Sequence, residues 1–176
     1  MRKIISTILF MLVSFSFFSF ANGEDRKVNK NETELNFFTG IFDFSDDKQH
    51  ASTLGIQHRN DNLFRKSFLG KLSPITGGFL TENNAFYVYT GAQVEYEFGL
   101  LKITPSFAPG YYNSGNGKDL GSPLEFKSEI QMSLDLSDSE GFLTEFGMSY
   151  NHISNASLGD KNPGANSYMI NFLKQF

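Results

Sequence analysis

The stretch FYVYTGAQVEYEF, residues 86–98, decides the fold of this chain. Its even positions are mainly apolar, whereas the odd positions toward its end carry Gln93, Glu95 and Glu97. Because successive side chains of a strand point to opposite faces, the stretch predicts a β-strand with one apolar face. Residues 124–136, LEFKSEIQMSLDL, repeat the same alternation.

Working outward, further segments alternate in the same way. Less regular strands are predicted before residue 86, and Pro105 and Pro109 predict bulges or an irregular strand in their segment, because proline cannot donate to a ladder. The predicted strands besides the two quoted above are about 35–44, 51–59, 68–80, 101–111, 142–155 and 165–176.

The length of these segments separates two all-β architectures. A soluble β-sandwich would bury the apolar faces in a core, whereas a membrane barrel would turn them toward lipid. Several segments reach the roughly ten residues that cross a bilayer at a tilt, and the last one ends in the aromatic Phe176. We therefore predict an eight-stranded antiparallel transmembrane β-barrel, whose polar faces fill the lumen and pair charges such as Lys127 and Glu129. The sandwich is the alternative.

The N-terminus predicts export. Arg2 and Lys3 precede an apolar run at 4–20, and small residues end at Ala21. This is the layout of a secretory signal peptide. We predict a signal peptide at 1–21, an irregular lead-in at 22–33, and a barrel at 34–176 in the bacterial outer membrane.

The composition excludes several classes of function. The chain has no cysteine, which removes thiolate nucleophiles and cysteine-ligated metals. Its formal net charge of −4 gives no support to a nucleic-acid partner. No motif predicts a cofactor or a metal site.

Loop lengths set the predicted orientation of the barrel. The turns at 98–100 and 137–140 are short, as periplasmic turns are, whereas 113–123 and 156–164 are long and polar, as external loops are. Residues 151–155 are therefore predicted at the outer-leaflet edge of the membrane.

His152 and Ser154 lie two residues apart at this edge and share the lipid-facing side of their strand. They are separated by roughly 6.6 Å along a strand, and a hydroxyl beside an imidazole is the minimal pair for nucleophilic hydrolysis. The alternative interpretation is an interfacial histidine next to an ordinary turn serine.

The surrounding sequence resembles a known family. HISNA at 152–156, NPG at 162–164 and the terminal alternating strand resemble the C-terminal signature of the lipid A 3-O-deacylases, the PagL family. The resemblance implies a small barrel that cleaves the acyl ester at position 3 of lipid A in lipopolysaccharide, without a metal. It implies His152 as base, Ser154 as nucleophile and Asn155 as oxyanion donor, and it allows a homodimer.

Two positions depart from the family pattern. Asn166 stands where the family has an acid that orients the histidine, and Ser157 stands where it often has glycine. An amide can accept a hydrogen bond from imidazole but cannot offset imidazolium charge; Asp160 in the adjoining loop is another candidate for that role. The function predicted is a serine-type carboxylic ester hydrolase. The alternative is a non-catalytic structural or adhesive barrel that retains a degenerate motif.

Overall fold

The computed structural model describes residues 33–46, 49–136 and 144–176. The predicted signal peptide, most of the lead-in and the predicted turn at 137–140 lie outside these residues. A 3-10 helix covers Asp61–Leu63. The strands are β1 Thr33–Phe42, β2 Ala51–Asn60, β3 Arg65–Ser67, β4 Gly70–Thr81, β5 Phe86–Val94, β6 Tyr96–Phe98, β7 Leu101–Asn113, β8 Leu124–Asp135, β9 Thr144–Ser154 and β10 Ala165–Gln175.

These strands form one closed antiparallel sheet. Neighbouring strands follow the order β2-β1-β10-β9-β8-β7-β5-β4, and β2 also pairs with β4. The ring is complete, and the barrel closes where the first strand, β1, pairs with the last, β10. Among the described residues, the short β3 pairs only with β4, and β6 continues β5 along the same partner, β7. The prediction of an eight-stranded antiparallel barrel is confirmed. Within the described residues, no helix is long and apolar enough to cross a membrane.

The two prolines interrupt hydrogen bonding without shifting the register. In the ladder between β5 and β7, pairing stops between Tyr89↔Gly110 and Ala92↔Phe107, which leaves out Pro109. It stops again between Gln93↔Ser106 and Tyr96↔Ile103, opposite Pro105, and this gap separates β5 from β6. The irregularity predicted here is therefore a pair of gaps in the strand pairing. A proline lacks the backbone N–H donor but can keep an extended backbone, so the register continues past it.

The outward face of the wall is apolar. Large hydrophobic side chains that would be unusual on a protein surface in water are exposed around the barrel. This continuous apolar exterior is what a bilayer solvates. Members with about half or more of their surface exposed include Phe37, Leu54, Leu80, Val88, Phe107, Ile130, Met132, Met148, Tyr168 and Phe172.

The interior is filled by side chains and has two zones, only one of which matches the prediction that polar faces fill the lumen. Toward the end that carries the termini, buried charges form an ion-pair network. Toward the other end, aromatic and aliphatic side chains pack together, because a barrel of eight strands is too narrow for a water channel and must be filled. The network contains Glu34, Arg59, Glu95, Lys102 and Glu145; the apolar zone includes Phe42, Phe79, Tyr87, Tyr112, Leu120 and Met169.

The ion-pair network generates a stability prediction. Arg59 contacts Glu34 at 3.1 Å, Asp61 at 3.0 Å and Glu95 at 2.7 Å, with 5% of its side chain exposed. Replacing it with methionine leaves buried carboxylates unpaired, so Arg59→Met should lower the free energy of unfolding by about 3–5 kcal/mol. Urea unfolding in detergent micelles, followed by tyrosine fluorescence, measures this loss.

Lys71→Met is the matched control for Arg59→Met. The Lys71 side chain is 51% exposed and lies 3.8 Å from Asp61, so its loss should cost at most about 1 kcal/mol. Equal effects of the two substitutions would contradict a stabilising role for the internal network.

Candidate active site

His152 and Asn166 face each other on the outer surface of the barrel. They are paired across β9 and β10, and Nδ1 of His152 lies 2.8 Å from Oδ1 of Asn166. Both side chains are half-buried and point outward, in phase with the exposed Met148 and Tyr168. The alternation that predicted this shared face is therefore observed, and the amide oxygen occupies the position from which an acid would orient the imidazole.

Tyr150 is a third member of this group, and the sequence analysis did not single it out. Its hydroxyl donates to Oδ1 of Asn166 at 2.8 Å. Its ring packs near Tyr168 and Phe44, with centroids 5.5 and 6.4 Å away. The oxygen of Asn166 therefore accepts from two sides at once, and an aromatic cluster borders the histidine.

Ser154 ends β9, two residues beyond His152, and is half-buried. Within the described residues no hydrogen bond joins its hydroxyl to the imidazole. Catalytic hydrogen bonds are often long before substrate binds, so this separation is compatible with a Ser/His pair.

Gly164 lies against the imidazole of His152, where a larger residue would not fit. A Cβ built on this glycine would lie 2.9 Å from Cε1 of His152 and 3.4 Å from its Nε2. The backbone at Gly164 has φ of +63°, a value that favours glycine. The glycine of the NPG sequence thus contacts the histidine directly.

The chain turns sharply directly after Ser154. Leu158 N donates to Asn155 O at 2.9 Å, and the two central residues, Ala156 and Ser157, have φ of 52° and 62°. These are the features of a type I′ turn. Among the described residues no group accepts from the backbone N–H of Ala156 or Ser157, so two donors beside the serine are free to bind a ligand. The positive φ explains why glycine suits position 157.

Asn155 points into the barrel and not toward the lipid. It is fully buried, and its Nδ2 donates to Leu120 O and Lys161 O, both at 2.8 Å. Its backbone N–H donates to Oδ1 of Asn162 at 3.1 Å. Both hydrogens of the side-chain amide are therefore used to hold loops in place. An oxyanion role for this side chain stays a prediction, and it requires one of these hydrogen bonds to be broken so that the amide can bind the substrate.

An ion pair joins the two loops beside the site. Lys161 Nζ lies 2.7 Å from Asp119 in the loop before β8. The hydrogen bond from Lys161, helped by one from the backbone of Gly121, holds the pKa of Asp119 below its ordinary value. Asp160, the alternative acid considered above, is exposed and has no ion pair among the described residues.

Asp43, an acid that the sequence analysis missed, reaches Asn166 through a serine hydroxyl. Nδ2 of Asn166 donates to Oγ of Ser45 at 3.3 Å, and that hydroxyl donates to Oδ1 of Asp43 at 3.3 Å. Asp43 is fully buried, and Lys118 Nζ lies 2.6 Å from its other oxygen. Residues 43 and 45 lie more than 100 positions before Asn166, so only the pairing of the first and last strands could reveal the contact.

The described residues contain one cluster of acids spaced closely enough to hold a metal, formed by Glu34, Glu95 and Glu145 inside the barrel. Arg59 and Lys102 already form ion pairs with its carboxylates. The cluster is therefore better explained as part of the ion-pair network, and it lies away from His152.

Comparisons with known proteins identify the family and the fold. The family model for lipid A 3-O-deacylase (PagL) matches residues 53–174, which include the His152–Asn166 site. The fold is similar to the crystal structure of the outer membrane enzyme PagL, at 20% identity and a TM-score of 0.58, covering 80% of this chain and 98% of that one. It is also similar to a de novo designed transmembrane β-barrel, at 9% identity and a TM-score of 0.51, covering 86% and 100%. No curated protein matches the chain in sequence.

The strained turn generates a second prediction. Ser157→Gly removes a side chain from a backbone with φ of 62°, and a left-handed residue with a Cβ costs roughly 1 kcal/mol. The substitution should therefore raise the free energy of unfolding by up to about that amount in urea titration. Ser114→Gly is the control, because Ser114 is a loop residue whose φ is not positive, and it should lower the free energy of unfolding slightly. A loss of stability in both variants would contradict the assignment of strain to position 157.

Proposed function

The chain belongs to the lipid A 3-O-deacylase (PagL) family, and on this premise we propose that it hydrolyses the ester-linked acyl chain at position 3 of lipid A. The observation that carries the proposal is the 2.8 Å contact between His152 Nδ1 and Asn166 Oδ1. An imidazole that donates through Nδ1 has Nε2 free to act as a base. Such a base, two residues from a serine on one face of a strand, is suited to nucleophilic acyl transfer.

We propose that the protein is exported to the bacterial outer membrane and works on lipopolysaccharide in the outer leaflet. The apolar exterior supports a bilayer position for the barrel. The site lies at the end of the wall that carries the loops 114–123 and 155–164, on the lipid-facing side. A substrate embedded in the same leaflet can therefore approach laterally without leaving the membrane. The chemistry requires no cofactor.

The proposed mechanism is a two-step ester hydrolysis. Ser154 attacks the ester carbonyl while Nε2 of His152 removes the hydroxyl proton, and the sugar oxygen then leaves with that proton. Water, activated by the same imidazole, hydrolyses the acyl-serine and releases the fatty acid. The mechanism requires the Ser154 hydroxyl to turn toward Nε2 of His152 when substrate binds, while the imidazole keeps its contact with Asn166.

Developing negative charge on the ester oxygen needs hydrogen-bond donors beside Ser154. The free N–H groups of Ala156 and Ser157 in the type I′ turn are suited to this role. Asn155 remains a predicted donor through its side chain, and its observed bonds to Leu120 and Lys161 also support the turn from behind.

The outward face next to Ser154 is suited to hold an acyl chain. Phe126 is paired with Ser154 across β8 and β9, and its ring stacks on Phe107 with centroids 5.9 Å apart. Two stacked rings beside the proposed nucleophile give the hydrocarbon chain a fixed apolar surface. The aromatic cluster of Tyr150, Tyr168 and Phe44 borders the other side.

A non-catalytic barrel is the second candidate. It is favoured by the amide at position 166 and by the missing hydrogen bond between His152 and Ser154. A barrel of this kind would be structural or adhesive and would leave lipid A unchanged.

The test of the proposed function is the lipid A of cells that produce the protein. Mass spectrometry should show loss of one acyl chain with the native chain and no loss with Ser154→Ala, because the variant lacks the nucleophile. Ser52→Ala, on an outward position of β2, is the matched control and should retain activity. Unmodified lipid A with all three folded barrels would favour the non-catalytic candidate, and retained activity in Ser154→Ala would exclude the serine mechanism.

Gly164 offers a second test of the same mechanism. Gly164→Ala forces a Cβ toward the imidazole of His152, and kcat should fall about 10- to 100-fold because a displacement of about 1 Å in a catalytic group has effects of this size. Gly99→Ala is the control, since Gly99 has a similar φ of +66° with nothing within 4 Å of the new Cβ. Equal kcat values for Gly164→Ala and Gly99→Ala would contradict a catalytic role for His152.

A further inference from the structure

A buried carboxylate stands at the end of the hydrogen-bond chain that reaches His152. Asp43 follows β1 and is fully buried. One of its oxygens lies 2.6 Å from Lys118 Nζ, and the other accepts from the hydroxyl of Ser45 at 3.3 Å and from the backbone N–H of Asn166 at 3.4 Å. Four groups, Asp43, Ser45, Asn166 and His152, therefore form one continuous chain.

The carboxylate determines the direction of every bond in this chain. An ionised carboxylate can only accept, so the hydroxyl of Ser45 must donate its single proton to Asp43. Its oxygen is then left to accept, and it accepts from Nδ2 of Asn166 at 3.3 Å. The amide of Asn166 is thereby oriented with its oxygen toward His152 and Tyr150.

This orientation determines which nitrogen of His152 carries the proton. Oδ1 of Asn166 cannot donate, so the imidazole nitrogen 2.8 Å away, Nδ1, must be the protonated one. Nε2 then has the lone pair that a general base needs. In the reverse amide orientation Nδ2 would donate to Nδ1, and the proton would move to Nε2. That wrong tautomer accompanies a fall of about 10⁴-fold in kcat when asparagine replaces the acid of a serine protease triad.

We propose that Asp43, acting through Ser45 and Asn166, holds His152 in its Nδ1–H tautomer and so takes over the orienting role of the acid that position 166 lacks. Asp43 and Ser45 are positioning residues, since neither touches the imidazole. The effect on catalysis rests on the proposed deacylase function, whereas the tautomer is a property of the folded protein in the absence of substrate.

Closure of the barrel places the chain where it can act. β1 and β10 are in register up to Ile41↔Tyr168, and beyond the ladder Phe44 N donates to Asn166 O at 2.9 Å. Asp43 therefore lies next to Asn166 by strand pairing and not by loop folding alone. The Lys118 contact anchors the carboxylate from the neighbouring loop.

The direct test is the tautomer of His152, read from ¹⁵N chemical shifts of histidine-labelled protein in detergent micelles at pH about 8, above the ordinary histidine pKa of about 6.5. The chain has three histidines, and the His152→Gln spectrum assigns the signal. The native protein should show Nδ1–H. Ser45→Ala, which removes an exposed hydroxyl, should shift the signal toward Nε2–H, and Ser45→Thr should restore the native signal.

Asp43→Asn tests the carboxylate itself, because its amide can donate to Ser45 and reverse the chain. It should shift the tautomer in the same direction as Ser45→Ala. Glu82→Gln, an exposed carboxylate at the same end of the barrel, is the matched control and should leave the His152 signal unchanged. Asp160→Asn should also leave it unchanged; a shift in that variant alone would assign the role to Asp160 and overturn the proposal.

Turnover of lipid A gives the second readout. Ser45→Ala should lower kcat by at least tenfold with little change in KM, and the loss should largely disappear in the Asn166→Asp background, where a carboxylate contacts His152 directly. The proposal is overturned if native His152 is Nε2–H or if Ser45→Ala keeps Nδ1–H. If the tautomer shifts as expected and lipid A is never cleaved, the relay stands and the proposed function fails.

Discussion

The pairing of the first strand with the last is the constraint on which the rest of this structure depends. A sheet in hydrocarbon must leave no edge, because unsatisfied backbone groups have no water to bind there. Closure through β1 and β10 satisfies that requirement. It also brings the end of β1 beside the start of β10, which in turn pairs with β9. One register therefore sets the relative positions of Asp43, Asn166 and His152.

The filled interior supports this wall from behind. The apolar zone under the loops includes Leu120 and Tyr112, and the fully buried Asn155 donates hydrogen bonds to the backbone of both Leu120 and Lys161. The turn that carries the free N–H groups is thus fastened to a packed core. A site on a rigid element can hold its geometry more closely than one on an unsupported loop. The charged zone lies at the opposite end, away from the site.

The amide at position 166 separates two contributions that a triad acid usually makes together. An acid orients the imidazole and also offsets the positive charge that forms on it. Asn166 supplies the contact, and Asp43 with Ser45 supplies the direction of the hydrogen bonds. The charge itself stays two groups away and is shared with Lys118. The expected enzyme therefore retains the correct tautomer with less stabilisation of the imidazolium.

The sequence by itself determined the period-two alternation, and with it the strands, the lipid-facing side, and the face shared by His152, Ser154 and Asn166. This is local information, because the direction of a side chain on a strand depends only on its position along that strand. The same alternation assigns Asn155 to the inward face, although the family resemblance implies that Asn155 is an oxyanion donor on the outer surface. Only the tertiary structure decided that Asp43 and Ser45 belong to the site, since they contact Asn166 across 123 and 121 positions. That contact depends on the stagger with which the barrel closes, and no local pattern encodes the stagger.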